Sequence, residues 1–561
     1  MKLHKTVFSF SIGAFLLMAG GCSLEEYNPS GLTGEAIWST PEGMETLIAS
    51  AYKWQQKMYC SEYGFTLYET GTDLWDCPGW KQLTQYDGLQ PYDDSGGGAV
   101  WEYVYEGVNM ANYGIDFVEN DKVDFNDPVK KAQILSEFKF LRAWYNWHIV
   151  EQWGPVVLNT TPTREVKLTA ERSTVAGFYE VIISDLQYAA QHASPEEAQP
   201  GRVTQKAALG LLARTALTAA YHVPEKKDEY LTIAKDAADE VIANQTEWGV
   251  ELYDKYEDIW HEDNNKNNKE ALYKITFSTL ENNVERYGNR WWQYFKFNYM
   301  KASAYLIMSY EYGFKDGDSW GDPSFTYPTK ALFDLFDETA DSRYRGSFRT
   351  VWMKNRYNDI TEPATGDTAL YVSINSKPKP GRKSYTYYNI NDIYNPDGTI
   401  VRYNIPFPAL KKFDGPKYNG YYAKSRYGLL DQIRIRLSEM YLIAAEVEML
   451  KGNLSGAANY LNVIRSRAAL PDKEAEMQVS ADEINIDFIL AERAREFCGE
   501  GLRWFDLKRT GKLIEYVRTY NKGGAADNIQ DYHVVRPIPS EELDALLNRE
   551  EFIQGLTGYN Y

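Results

Sequence analysis

Residues 492–509 read Glu492-Arg493-Ala494-Arg495-Glu496-Phe497-Cys498-Gly499-Glu500-Gly501-Leu502-Arg503-Trp504-Phe505-Asp506-Leu507-Lys508-Arg509. Apolar residues recur at helical spacing on both sides of a glycine break, so Ile486 to Cys498 reads as one helix and Leu502 to Arg509 as the start of the next. Glu492 and Glu496 stand four apart on one helix face, and Arg495 follows Glu492 by three, within reach for a side-chain pair. Arg503 and Arg509 present planar forks suited to carboxylates or to helix-end carbonyls of a neighbouring helix pair. Glu492, Arg493, Glu496, Arg503, Asp506 and Arg509 are therefore read as scaffold residues rather than ligand contacts, and loss of Arg503 is expected to destabilise the chain.

Upstream, the same helical spacing appears in pairs. Pro128 to Trp153 carries Ile134, Phe138, Leu141, Tyr145 and Ile149 at intervals of three and four, ends at Gly154-Pro155, and is partnered by Thr174 to Ala190. Thr204 to Tyr221 and Tyr230 to Ile242 form a second, alanine-rich pair. A helix that starts at Leu430 and stops before Gly452, with Leu454 to Ala468, forms a third. With the pair at 486–509, this predicts a mostly α chain of four helical hairpins, spaced much like tetratricopeptide repeats. Ile259 to Asp414 breaks the pattern with glycines, prolines, asparagines and aromatics. It reads as a long loop-rich insert, with short strands at 271–276 and 369–374 and a short helix at 331–336. Near the start, Thr40 caps a helix over Pro41 to Met58, 62–98 reads as loop, and Val100 to Val118 is helical.

The chain begins with Lys2 and Lys5, an apolar run from Val7 to Met18, small residues and then Cys22. That run is too short to span a membrane, and the order of features is that of a signal peptide. Leu17 to Cys22 resembles a bacterial lipobox, so the expected mature chain starts at Cys22 and carries lipid there. Loss of Lys2 and Lys5 takes the formal charge from −19 to −21, which opposes binding to nucleic acid. Cys60 and Cys77, in a glycine-rich region of an exported chain, are a candidate disulfide, and Cys498 reads as a buried free thiol. None of the six histidines pairs with a cysteine at zinc-ligand spacing, and no twelve-residue calcium loop is present. No metal or cofactor is expected.

The ordered motifs resemble those of the SusD/RagB family. Ile435 to Glu446 is similar to its arginine–glutamate–alanine helix, Asn462 to Ala468 to the next helix, and 492–509 to its most recognisable run. Ile538-Pro539-Ser540-Glu541-Glu542 resembles the closing loop, and Phe138 to Val157 the early helix and turn. The resemblance implies a SusD-like fold: a signal peptide over 1–21, a leader over 22–39, a helical part over 40–250, an insert over 251–420 and a C-terminal helical part over 421–561. It further implies a lipoprotein on the outer face of the outer membrane that captures oligosaccharide, or less often peptide, for a SusC-like TonB-dependent transporter, without catalysis.

Sugar rings present apolar C–H faces and hydroxyl rims, so a binding zone needs flat aromatics beside short polar groups. Asp73-Leu74-Trp75-Asp76-Cys77-Pro78-Gly79-Trp80 and Asn289-Arg290-Trp291-Trp292-Gln293-Tyr294 supply both. Trp75, Trp80, Trp291, Trp292 and Trp320 are the candidate platforms, with Asp73 and Arg290 as candidate hydroxyl partners. Asp73 or Asp93-Asp94 would suit a glycosidase only at a fixed separation that nothing in the sequence sets, and no nucleophile, metal or phosphate-loop motif appears. A helical-repeat assembly or adhesion protein is the remaining alternative, and it has no need of the loop aromatics.

Overall fold

Local capping explains where the long helices begin. In α1 (Pro41–Cys60), the Thr40 hydroxyl accepts from the Gly43 amide at 3.0 Å and Pro41 occupies the first turn. In α4 (Pro128–Trp153), Asp127 accepts from Val129 N at 2.9 Å, and Gly154 at φ 75° ends the helix. The remaining helices used below are α2 (Glu62–Tyr68), α3 (Gly97–Glu119), α5 (Val175–His192), α6 (Gln205–His222), α7 (Lys227–Ala243), α8 (Leu437–Leu450), α9 (Leu454–Ala468), α10 (Ile486–Phe497), α11 (Arg503–Arg509) and α12 (Leu513–Tyr520). The computed structural model describes residues 34–92, 97–277, 289–297, 326–353, 368–374, 385–414 and 428–561. The expected signal peptide, Cys22, Trp320 and Asp93-Asp94 lie outside these residues.

Successive helices pack against one another from α3 through α7, and α8 packs on α7 and α9 on α8 to extend the layer. Small residues let the helices approach. Gly107 and Gly114, two turns apart on α3, face the rings of Tyr145 and Phe138 on α4, which a Cβ would meet at 2.4 and 2.3 Å. From Ile134 to its end, α4 is buried almost all round, as befits the central helix of such an array.

The third hairpin starts later than its periodicity implies. Gln432–Arg436 is a strand, paired antiparallel with Ala271–Ile275, and α8 begins only at Leu437. Both strands are buried throughout, so the four-residue step from Ile433 to Leu437 fits a helical period by coincidence, while Ile433 and Ile435 stand at strand spacing. The segment 62–98 is also no simple loop. It contains α2, the strand Trp75–Asp76 and a short helix Lys81–Gln85, and most of it is buried. Its elements are too short to show a period, and their partners are remote. Trp75–Asp76 pairs with Tyr327–Pro328, which ties the early segment to the insert. The expected short elements of the insert appear as strands Ala271–Ile275 and Thr368–Val372 and the helix Lys330–Asp334.

A buried ionic network joins the two halves around the opening sequence. Glu496 on α10, fully buried, faces Arg436 at 2.7 Å, Arg343 at 3.2 Å and Arg467. Glu492 faces Arg343 at 2.7 Å and Arg465 at 2.8 Å, with Arg495 one turn away at 2.7 Å. Arg493 reaches Asp506 on α11 at 2.7 Å, and Arg509 bonds both Asp506 and Glu446 of α8. Arg503 donates to Leu490 O at 2.7 Å and forks onto Asp73 at 2.6 and 2.8 Å. Each of these charges has its partner inside the protein, as burial of a charge requires.

Candidate functional site

The two aromatic zones read from the sequence meet in space, but not as a binding surface alone. Trp75 is 0% exposed and packs edge-on to Phe295 at 4.8 Å. Phe65 then links Phe295, Tyr294 and Trp291 at centroid distances of 5.1, 4.6 and 5.1 Å. Trp291 is also fully buried, and its indole Nε1 donates to Gly499 O at 2.8 Å. Trp75 and Trp291 are thus core residues, not sugar platforms. Asp73 is likewise withdrawn as a hydroxyl partner, because both its oxygens are taken by buried Arg503. Arg290 is partly buried, sits 2.8 Å from Glu62 and lies over the Tyr294 ring, so its charge is already matched.

What stays at the surface is the second tryptophan of each zone. Trp80 is partly exposed and takes a left-handed backbone, φ 51°, at the head of the short helix Lys81–Gln85. This turn is held from below by the Thr84 hydroxyl, which donates to the carbonyls of Cys77 at 2.6 Å and Gly79 at 3.0 Å. Trp292 is partly exposed and lies over Gly428, where a Cβ would come within 3.2 Å of its ring.

The structure adds one aromatic that sequence reasoning missed. Tyr403 is 39% exposed, and its ring packs edge-on against Tyr327 at 4.8 Å. Its hydroxyl donates to Asp76 Oδ2 at 2.6 Å, and Gln85 Nε2 donates to Asp76 Oδ1 at 2.9 Å and to Gly523 O at 2.6 Å. Asp76 therefore fixes the orientation of Tyr403 from one residue before the Cys77–Trp80 turn. No local pattern in 401–404 marks this role, since its partner lies 327 residues away.

Burial pushes the Asp76 carboxyl up to about 6, against the lowering effect of the hydrogen bonds from Tyr403 and Gln85. Between the ordinary carboxylate range and that value, the folded chain holds a proton that the unfolded chain has lost, so stability falls as pH rises through about 4 to 6. Relative to Asp76→Asn, the parent is expected to lose on the order of 2–3 kcal/mol across this window. Denaturant midpoints at several pH values check this. A pH-independent difference between the two proteins would contradict it.

Cys77 does not form the expected disulfide with Cys60. It is a buried free thiol that donates to Gly79 O at 3.3 Å, and burial, reinforced by Asp76, raises it far above the ordinary thiol range. Cys498 is also free and buried, its thiol pushed up to about 11 mainly by desolvation. Both are expected to resist alkylation in the native protein and to react in full after denaturation without reductant. Mass spectrometry of peptides containing Cys77 and Cys498 reads this directly, and a Cys60–Cys77 cross-link would contradict it.

Among the described residues, no group of three or more His, Cys, Asp or Glu side chains stands close enough to hold a metal ion.

Comparison with known proteins agrees with this architecture. Residues 256–548 match the model of the SusD family, and residues 24–217 match a second model described as starch-binding, associating with the outer membrane. The SusD-like protein P25 of Formosa agariphila is 28% identical over 467 residues, covering 79% of this chain and 76% of its own. A solved laminarin-binding SusD-like protein superposes with a TM-score of 0.65 at 20% identity, over 90% of this chain and 97% of that one. A solved structure with a xylogluco-oligosaccharide gives 0.63 at 19% identity, over 93% of this chain and 99% of that one. With its helical layer, its strand-tied insert and its buried arginine–glutamate network, the chain belongs to the SusD family.

Proposed function

We propose that this chain is a cell-surface lipoprotein that binds neutral oligosaccharide and delivers it to a TonB-dependent transporter of the outer membrane, without catalysing a reaction. The observation that carries the reading is the exposed Tyr403, oriented by Asp76 beside the Trp80 turn: a flat apolar ring backed by hydrogen-bonding groups. Trp292, partly exposed in the second aromatic zone, is a further candidate contact, whereas Arg290 is already matched by Glu62. The laminarin-binding and xylogluco-oligosaccharide-bound structures of the same fold support a glycan as the ligand. The family description that names the outer membrane supports the location. Binding rather than turnover is favoured because Asp73, weighed as an acid–base group, is closed off by Arg503.

The order of features ending at Cys22 supports lipid attachment there. Cys22→Ser is expected to abolish incorporation of labelled palmitate and to release the chain from the outer-membrane fraction. Unchanged labelling would contradict the anchor. For the ligand, titration of the lipid-free chain with neutral oligosaccharides is the test, and release of shortened products on prolonged incubation would contradict the non-catalytic reading.

A further inference from the structure

A cleft of about 760 Å³ lies between α3, the segment 157–171 and the C-terminal residues 538–552. It shares no lining residue with the Trp80–Tyr403 face. Its floor is apolar, with Trp101, Tyr105, Val157, Ile538, Leu543 and Phe552 contributing. Its rim is acidic: Glu102 and Glu106 from α3, Glu165 and Glu171 from the facing segment, and Glu542. None of these five forms an ion pair among the described residues. Of the two cations at the rim, Arg164 is already paired with Glu35 and with Asp116 at 2.6 Å, which leaves Lys167.

Beside the cleft three aliphatic side chains stand in solvent: Val166 at 86% exposure, Leu547 at 78% and Leu168 at 52%. Their backbones are stapled together. Leu547 N donates to Leu168 O at 2.7 Å, and the Asn548 amide exchanges hydrogen bonds with Ala170 at 2.9 and 3.1 Å. The rim is thus preformed, which lowers the ordering cost of binding. Exposed aliphatics gathered at one cleft cost solvation and mark an interaction surface. They are poor partners for a sugar face, which stacks on flat rings. The acidic rim repels anionic polymers and anionic lipid surfaces, and attracts cationic side chains. Burial, and then the like charges of Glu541 and Glu102, raise the Glu542 carboxyl, and a cation placed between these groups relieves that repulsion.

We infer that this cleft docks a partner protein through an extended segment that carries lysine or arginine among apolar residues. The apolar side chains cover Val166, Leu168 and Leu547 and enter the floor, and the cations sit among Glu102, Glu106 and Glu542. The inference does not rest on the oligosaccharide reading, and the two fail separately.

The test uses the lipid-free full chain and a fluorescein-labelled peptide of alternating lysine and leucine, read by anisotropy. Alternating glutamate–leucine and lysine–serine peptides serve as controls. The lysine–leucine peptide is expected to bind at least about tenfold more tightly than either control, since both charge and apolar cover are needed. The combined variant Glu102→Gln, Glu106→Gln and Glu542→Gln is expected to weaken it about tenfold or more, as is Val166→Ser with Leu547→Ser. An equal number of amide substitutions on the exposed side of α7, Asp228→Asn, Glu229→Gln and Glu240→Gln, controls for bulk acidity. Thermal melting and oligosaccharide affinity are expected to stay at parental values in all three. Absence of binding, loss of binding in the α7 variant equal to that in the cleft variant, or no effect of the cleft variants would overturn the inference.

Discussion

Glu496→Ala is expected to destabilise the protein by about 3–5 kcal/mol, because it removes a buried carboxylate shared by three buried arginines and leaves their positive charge under-compensated. Glu496 is fully buried and faces Arg436, Arg343 and Arg467. Burial alone would raise its carboxyl, but those three guanidinium groups outweigh it and hold it well below the usual carboxylate range. Arg436 retains Glu270 at 2.7 Å and Glu500 at 2.9 Å, and Arg343 retains Asp341 at 2.7 Å, so the network loosens rather than empties. The loss is nevertheless a large share of the stability of an ordinary domain. Glu496→Gln keeps the shape and one acceptor oxygen and is expected to cost less than Glu496→Ala. Equilibrium denaturation of the lipid-free chain measures both. A change below about 1 kcal/mol for Glu496→Ala would show that the network contributes little to folding.

The second large effect is on binding. Trp80→Ala combined with Tyr403→Ala is expected to weaken oligosaccharide affinity by about a hundredfold, since a central aromatic anchor is typically worth about 2 kcal/mol or more. Both residues are at least partly exposed, so the core beneath them, built on Trp75, Phe295 and Phe65, stays intact. Tyr403→Phe separates the platform from its orientation. It keeps the ring but loses the 2.6 Å bond to Asp76, and is expected to fall between parent and Tyr403→Ala. Trp75→Ala is the contrasting case: it would open a cavity in the core and lower stability by about 3–5 kcal/mol.

Much of the helical layer was legible because its determinants are local. Thr40-Pro41 and Asp127-Pro128 announce helix starts through side-chain capping within three residues, and Gly154 announces an end through its positive φ. Residue type and spacing pointed to charge pairing by Glu492, Glu496 and Arg503, which the structure shows, but not to their remote partners. The misreadings share a cause. Gln432–Arg436 is a strand because Ala271–Ile275 lies alongside it, and no periodicity within 430–450 carries that information. Trp75 and Trp80 look alike in sequence, yet one is core and the other partly exposed. Pairing of Asp73 with Arg503, 430 residues later, and of Trp75–Asp76 with Tyr327–Pro328 helps to turn Trp75 inward. Tyr403 was missed for the same reason, since its hydroxyl partner is remote in the chain.

The central claim is that a neutral oligosaccharide binds on the face built from Trp80 and Tyr403. Calorimetric titration of the lipid-free parent and of the Trp80→Ala, Tyr403→Ala double variant tests it most directly, with laminarin and xyloglucan oligosaccharides leading a panel of neutral glycans. The account predicts saturable binding of at least one glycan by the parent, and loss of that binding by about a hundredfold in a variant that melts like the parent. Parental affinity in the folded double variant, or no binding of any neutral glycan by the parent, would contradict it.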